Sequence, residues 1–331
     1  MHIGLFFYFK KIHIVNIGNI PQNKPVLILA NHQNALLDAL IIAIKCKRFS
    51  YFLTRASVFN SITIAKLLHS LRMLPVYRMR DGIQTIKKNN EIFKTCINLL
   101  NENQVVVVFP EGDHNLKRTV RPLSKGFTRL VFDTLEMNPN SNLQLLPIGF
   151  NYVHAEKFVD EVSLHIGKPI QANDYTTFQR NAAVLKLKKV VHQSLSKLTT
   201  HIPNDDYEDV LKKLETLNVN FLKPESVNSC ITHNFVNCKF QKKKKQSFIK
   251  QILKGLLIMN LVLPYLIWKL LIQPKIEEDE FVSTFRFTVA ITLVPIYLLV
   301  VTFILSFFVG WFLALIYLLA VLLLALIVVK F

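Results

Sequence analysis

Between Phe287 and Val329 the sequence has no charged side chain, and 37 of those roughly 43 residues belong to the set AVILMFWYC. A stretch of this kind has no place in water, which argues against a purely soluble enzyme. Acidic residues are also scarce: 22 Asp+Glu stand against 40 Lys+Arg, a formal net charge of +18. Cysteine is limited to Cys46, Cys96, Cys230 and Cys238, with no CxxC pair. That excludes a disulfide scaffold and predicts reduced thiols. Cys230, His233 and Cys238 lie close in sequence, but they offer three irregularly spaced ligands without a fourth, so no metal site is expected. A Gly-x-Ser-x-Gly elbow is missing, against a serine lipase, and there is no internal repeat. The basic residues lack aromatic interleaving or a known binding motif, so no nucleic-acid partner is expected. The opening MHIGLFFYFKKIH carries its lysines after a short apolar run and has no small-residue cleavage site. It reads as a short interfacial or core segment, not an export signal, and leaves the globular part facing the cytoplasm.

Outside the charge-free block the hydrophobic content falls from 51% overall to about 46%, an ordinary globular value. Short apolar runs alternate with helical patterns. Pro25 to Ala30 suits a buried strand ending at polar Asn31-His32, and Gln104 to Phe109 is the strongest strand, stopped at Pro110-Glu111-Gly112. Lys11 to Asn16, Arg72 to Tyr77, Leu143 to Phe150 and Val162 to Ile166 are further strands. Helices are expected over Ala35–Ile44, Ile62–Leu71, Ile83–Asn101, from near Phe127, and over Phe178–Thr200 and Tyr207–Leu217. This alternation predicts an α/β domain, a sheet flanked by helices, over residues 1–200. A helical and basic linker follows over 201–246, with Asn218 to Phe240 irregular, and then a C-terminal helical membrane region over 247–331.

The charge-free block is too long for one span and fits two, about 287–305 and 309–329, with a break at Ser306 to Gly310 that makes a hairpin. The piece 255–272, interrupted by Pro264, is a third span, a re-entrant turn or an interfacial helix. The lysines before it, including Lys242 to Lys245, place its start on the cytoplasmic side. Beside membrane segments they attract anionic lipid headgroups.

The polar residues at strand ends are where chemistry is expected. His32 follows a strand and Asp38 lies six residues on; a carboxylate on one ring nitrogen fixes a histidine's tautomer and orientation as a base. On one continuous helix the two would be turned about 240° apart, so His32 must lie in the turn and Asp38 in the first turns of the helix. Arg78 and Arg80 follow a short strand and suit a phosphate. Glu111 and Gly112 end the strongest strand. Arg118 and Lys125 are cations before a helix whose N-terminus adds anion affinity. Pro147 closes an apolar strand. His114, three residues after Glu111, is a minor candidate.

Taken together, the His32/Asp38 pair, the Arg78/Arg80 block, Phe109-Pro110-Glu111-Gly112 and the Pro147 strand resemble the four blocks of the glycerolipid acyltransferases of the lysophosphatidate-acyltransferase type. The resemblance covers about residues 10–200. It implies His32 as general base and Asp38 as its orienting partner. Arg78 or Arg80, Glu111, Gly112, Arg118 and Lys125 become acceptor- and phosphate-binding residues, and Pro147 part of the acyl-side wall. The family's usual spacing is His-x4-Asp; the five residues here look like the yeast-type glycerol-3-phosphate and dihydroxyacetone-phosphate acyltransferases. The expected function is therefore acyl transfer from acyl-CoA or acyl-carrier protein to glycerol 3-phosphate or dihydroxyacetone phosphate, in phospholipid biosynthesis and without a cofactor. A lysophospholipid acyltransferase is the alternative, and a catalytically silent membrane-anchored lipid-binding protein is the reading from another class. The enzyme is expected to be an integral membrane protein with its catalytic domain on the cytoplasmic face.

Overall fold

The computed structural model describes residues 1–77, 87–236, 238–241 and 248–331. Helix α1 (His2–Tyr8) runs into β1 (Phe9–Val15), followed by β2 (Val26–Ala30), α2 (Ala35–Lys45), β3 (Ser50–Arg55), α3 (Ile62–Ser70) and β4 (Met73–Val76). Next come α4 (Asn89–Asn101), β5 (Val105–Val108), α5 (Gly126–Met137), β6 (Gln144–Tyr152), β7 (Asp160–Ile166), β8 (Ile170–Gln171) and α6 (Arg180–Leu198). Of the helix expected over 83–101, residues 83–86 lie outside the described residues. Strand β3 was not among the expected strands; its half-buried pattern shows why, since only Ser50 and Phe52 are fully buried.

Among the described residues eight strands form one sheet in the order β1-β7-β6-β2-β5-β3-β4, with β8 also on β6. Strands β6, β2, β5, β3 and β4 run parallel, whereas β7 is antiparallel to β6 and parallel to β1. Helices cover both faces, so the central strands are apolar on both sides. Val26, Ile28 and Ala30 pack into one core with Leu37, Ile41 and Ile42 of α2. Leu27 and Leu29 pack into the other with α4, α5 and α6. Val105/Val107 and Val106/Val108 of β5 divide in the same way. The carboxyl ends of five parallel strands thus open on one edge, the usual place for a site in such sheets.

Strand β6 does not stop at Pro147 but continues to Tyr152, which corrects the expected strand end. Proline is accommodated where β6 changes partner, from β8 at Gln144 and Leu145 to β7 from Ile148 onward. Its carbonyl accepts the N–H of Gly167 at 2.9 Å.

The chain from 201 to 241 is more ordered than expected. Helices α7 (Tyr207–Thr216) and α8 (Pro224–Thr232) enclose their own apolar cluster around Leu214, Phe221 and Val227. This lobe is tied to β7, because Ser163 Oγ and His165 Nε2 both donate to Leu222 O. Cys230 and Cys238 are joined in a disulfide, contrary to the expected reduced pair: α8 ends between them and the chain turns back, bringing their Cα atoms to 4.9 Å. Cys46 and Cys96 are thiols, and burial raises both to about 12.

Helix α9 (Phe248–Asn260) and α10 (Val262–Leu266) belong to a pair bent by 97°. Helix α11 (Val282–Lys330) is long and apolar enough to cross a membrane. It is not one rod. A straight helix of 49 residues would span about 73 Å, yet Tyr8 OH donates to Ser283 O at 3.1 Å while Lys330 Nζ donates to the adjacent Phe9 O at 2.9 Å. The reversal is at Gly310, whose φ 78 and ψ 159 suit glycine alone. The arms of about 28 and 20 residues measure about 42 and 30 Å. Leu298 of one arm packs with Val321 of the other.

Gly149 lies where β6 passes the end of α6, and a Cβ there would collide with the Leu198 carbonyl. Gly149→Ala is expected to cost about 1–3 kcal/mol, read as a lowered thermal midpoint of the purified full-length protein.

Candidate active site

At the end of β2, Asn31 prolongs the ladder with its side chain. Its Nδ2 donates to Phe150 O at 3.1 Å and its Oδ1 accepts the Phe150 N–H at 2.7 Å. The chain then leaves the sheet through residues 32–34 and enters α2 at Ala35, whose positive φ marks the sharp turn. Asp38, in the first turn of α2, is completely buried. Its Oδ2 accepts from His32 Nδ1 at 2.9 Å and from the backbone N–H groups of Gln33 at 2.9 Å and Asn34 at 2.8 Å. Its Oδ1 accepts the hydroxyl of Tyr152 at 2.6 Å. An ionised carboxylate only accepts, so the Asp38 bond places the His32 proton on Nδ1 and makes Nε2 the basic nitrogen. The five-residue spacing is taken up in the turn: His32 is off the helix, and the two side chains meet.

Strand β5 supplies the second wall. Phe109 stacks on His32 with ring centroids 3.7 Å apart and planes 9° apart, and Asn115 N donates to His32 O at 2.9 Å. Gly112 closes the turn by donating to Phe109 O at 3.1 Å, with φ +79. Glu111 is buried, and its Oε2 accepts from Arg121 N at 3.1 Å and Arg121 Nε at 3.2 Å. Burial nevertheless holds its carboxyl above the ordinary range, because desolvation outweighs the Arg121 guanidinium.

The remaining expected residues divide. Arg118 is not placed as a phosphate ligand. Its guanidinium is buried, donating to Tyr152 O at 2.8 Å and Val153 O at 2.7 Å, and it lies 3.7 Å over the Phe221 ring. It therefore fixes the end of β6, and with it Tyr152. Lys125 is exposed just before α5, and its carbonyl accepts from Thr128 Oγ1 at 2.8 Å. Pro147 alternates with Leu143 and Leu145 onto the sheet face opposite Tyr152. Arg78 and Arg80 lie outside the described residues. Just before them, Tyr77 is held by Asn89 through bonds of 2.9 and 2.7 Å.

Tyr152 is the principal residue that sequence reasoning missed. Its signal was alternation: Leu146, Ile148 and Phe150 face the α2 core, so the next even position faces it too. The start of the α11 hairpin is the other. Thr284 Oγ1 accepts the Leu36 N–H at 3.2 Å, and Ser283 Oγ shares Ala155 O with Asn34 Nδ2, at 2.7 and 2.9 Å. Phe281 presents its ring to His114 at 4.9 Å, while Arg55 pairs with Glu278 at 3.4 Å. No local pattern announces contacts across some 250 residues.

Among known proteins, residues 11–151 match the sequence model of the family described as Acyltransferase. An uncharacterized acyltransferase of Schizosaccharomyces pombe is 29% identical over 41% of this chain and 20% of its own length. Glycerol-3-phosphate O-acyltransferase 2 of Saccharomyces cerevisiae is 26% identical over 36% of this chain and 16% of its own. The 1-acyl-sn-glycerol-3-phosphate acyltransferase of Bacillus subtilis is 20% identical over 56% of this chain and 87% of its own. The chain thus spans a fifth or less of the length of these yeast relatives.

Removing the Tyr152 hydroxyl leaves Asp38 Oδ1 buried without its donor, so Tyr152→Phe is expected to cost about 1–3 kcal/mol in denaturant unfolding. Asp160, whose Oδ1 accepts the His154 N–H at 3.0 Å, is pushed up to about 7 by burial. A carboxyl raised in the folded state holds its proton there more tightly than in the unfolded chain. Its contribution is therefore favourable at low pH and is lost as pH rises from about 4 to 7. Asp160→Asn should flatten that part of the stability profile; an unchanged slope in thermal midpoint against pH would refute the assignment.

Proposed function

We propose, from the match of residues 11–151 to the acyltransferase family model, that this chain transfers a fatty acyl group from a thioester to a hydroxyl of a glycerol phosphate. The observation that carries the reading is the His32–Asp38 pair at 2.9 Å, set at the carboxyl edge of the sheet. His32 Nε2 takes the hydroxyl proton as the oxygen attacks the thioester carbonyl, and Asp38 stabilises the imidazolium that forms. The donor, acyl-CoA or acyl-carrier protein, is already activated, so the reading asks for no metal or cofactor. Positioning contributes much of the rate. Arg78 or Arg80, directly after β4, receives the acceptor phosphate.

Glycerol 3-phosphate, or dihydroxyacetone phosphate, is the preferred acceptor, supported by the His-x5-Asp spacing and the yeast relatives. The B. subtilis relative, matched over most of its length, favours lysophosphatidate as the second reading. Residues 1–200 are assigned to catalysis and 247–331 to the bilayer. In this assignment the α11 hairpin crosses twice, and the lysines before α9 meet anionic lipid on the cytoplasmic face. Soluble acceptor, thioester and lipid product would then meet at that surface.

His32→Ala is expected to lower kcat/KM by about 10²–10⁴-fold, and Asp38→Asn by a similar factor, with both proteins still in the membrane fraction. Incubating membranes with labelled acyl-CoA and either glycerol 3-phosphate or lysophosphatidate measures this and identifies the acceptor. Turnover by His32→Ala at the wild-type rate would sink the reading, and wild-type silence with every acceptor would leave a lipid-binding protein.

A further inference from the structure

The base assigned above accounts for only one of two imidazoles at the sheet edge. The His114 ring centroid lies 4.3 Å from that of His32, with the planes 53° apart. Its Nδ1 faces Asp113 Oδ1 at 3.6 Å, and the same carboxylate oxygen accepts the His114 backbone N–H at 3.1 Å. A second carboxylate–imidazole pair therefore stands beside the first, one buried and one partly exposed. The His114 side chain is only 12% exposed, packed between the rings of His32 and Phe281.

We propose that His114 is a further catalytic residue, the general acid that protonates the departing thiolate. The proposal rests on the acyl-transfer reading. As the alcohol oxygen bonds to the carbonyl carbon, His32 Nε2 takes the alcohol proton. The carbon–sulfur bond then breaks with its electron pair on sulfur, and the protonated His114 gives a proton from Nε2 to that sulfur. The proton held by His32 passes to His114, directly or through solvent. One proton has then moved from alcohol to thiol, and no further reactant is needed. The step starts from His32 neutral and His114 charged, the base and the acid each in its working form. An alkyl thiol titrates near 8.5, so its thiolate accepts a proton readily at neutral pH.

The test varies the leaving group. The full-length wild type, His114→Gln and His114→Asn are assayed for transfer to glycerol 3-phosphate from a fatty acyl-CoA and from the corresponding thioester of 4-nitrothiophenol, whose thiolate leaves without an acid. The expected result is a loss of about 100-fold with acyl-CoA and almost none with the aryl thioester, which also shows that the variants fold. Equal loss with both donors would mean that His114 only packs against His32 and would overturn the proposal, as would no loss with either. A wild type silent on both donors instead overturns the acyl-transfer reading, and the proposal with it.

Discussion

Burying the Asp38 carboxylate is the constraint on which the rest of the site depends. A carboxylate with no exposure is tolerated only when its lone pairs are met by donors. Four donors do so, and they come from the β2 turn and from the far end of β6. The pairing of β2 with β6 is thus a condition of the His32–Asp38 geometry as well as of the core. A one-residue slip of β6 would send Tyr152 to the opposite face and leave Asp38 Oδ1 without a donor. Arg118 guards against that slip by holding two consecutive carbonyls at the strand end.

The apolar hairpin is built into the same arrangement. The opening N–H groups of a helix have no partner within it; that of Leu36 in α2 finds one in Thr284. Ala155 O is shared by Asn34, in the turn that carries His32, and Ser283, at the hairpin's start. Tyr8 and Phe287 meet edge to face at 5.3 Å in the sheet's core. The hairpin therefore closes one side of the domain and does more than tether it. Phe281 takes part in the wall around His114 because it immediately precedes the docked first turn.

Much of the fold was legible because its signals are local. Fully buried β2 and β5 read as apolar runs, the helices by their apolar spacing, and the hairpin by its length and Gly310. The His32/Asp38 pair and the Phe109–Gly112 turn were legible as residue types at strand ends. Other features were not. β3 alternates too weakly to stand out, and α8 lies in a polar stretch whose helix is held by packing in the lobe. The Cys230–Cys238 bond depends on the turn after α8, which spacing alone does not reveal. Tyr152 and Thr284 reach the site through tertiary contacts more than a hundred residues from Asp38. Arg118 was misplaced for a physical reason: a cation beside a motif has the same sequence signature whether it meets a ligand or the backbone.

That ambiguity bears on the acceptor. The chain has ten arginines, and each of the eight described is engaged within the protein. Arg48 donates to Pro21 O, Lys24 O and Asn103 O, Arg118 to two carbonyls, and Arg286 to Glu156 O. Arg55, Arg121, Arg129 and Arg180 pair with carboxylates, and Arg72 lies over Phe49 and Tyr51. The guanidinium fork suits such clamping, where several directed donors hold backbone or carboxylate at once. A phosphate held by a guanidinium would have to displace one of these contacts or meet Arg78 and Arg80. Both directly follow β4, a parallel strand whose carboxyl end opens on the same edge as His32. Under the proposed function, the arginine share of phosphate recognition therefore falls to that pair, on grounds of position and of what the other arginines already hold, beside exposed Lys125.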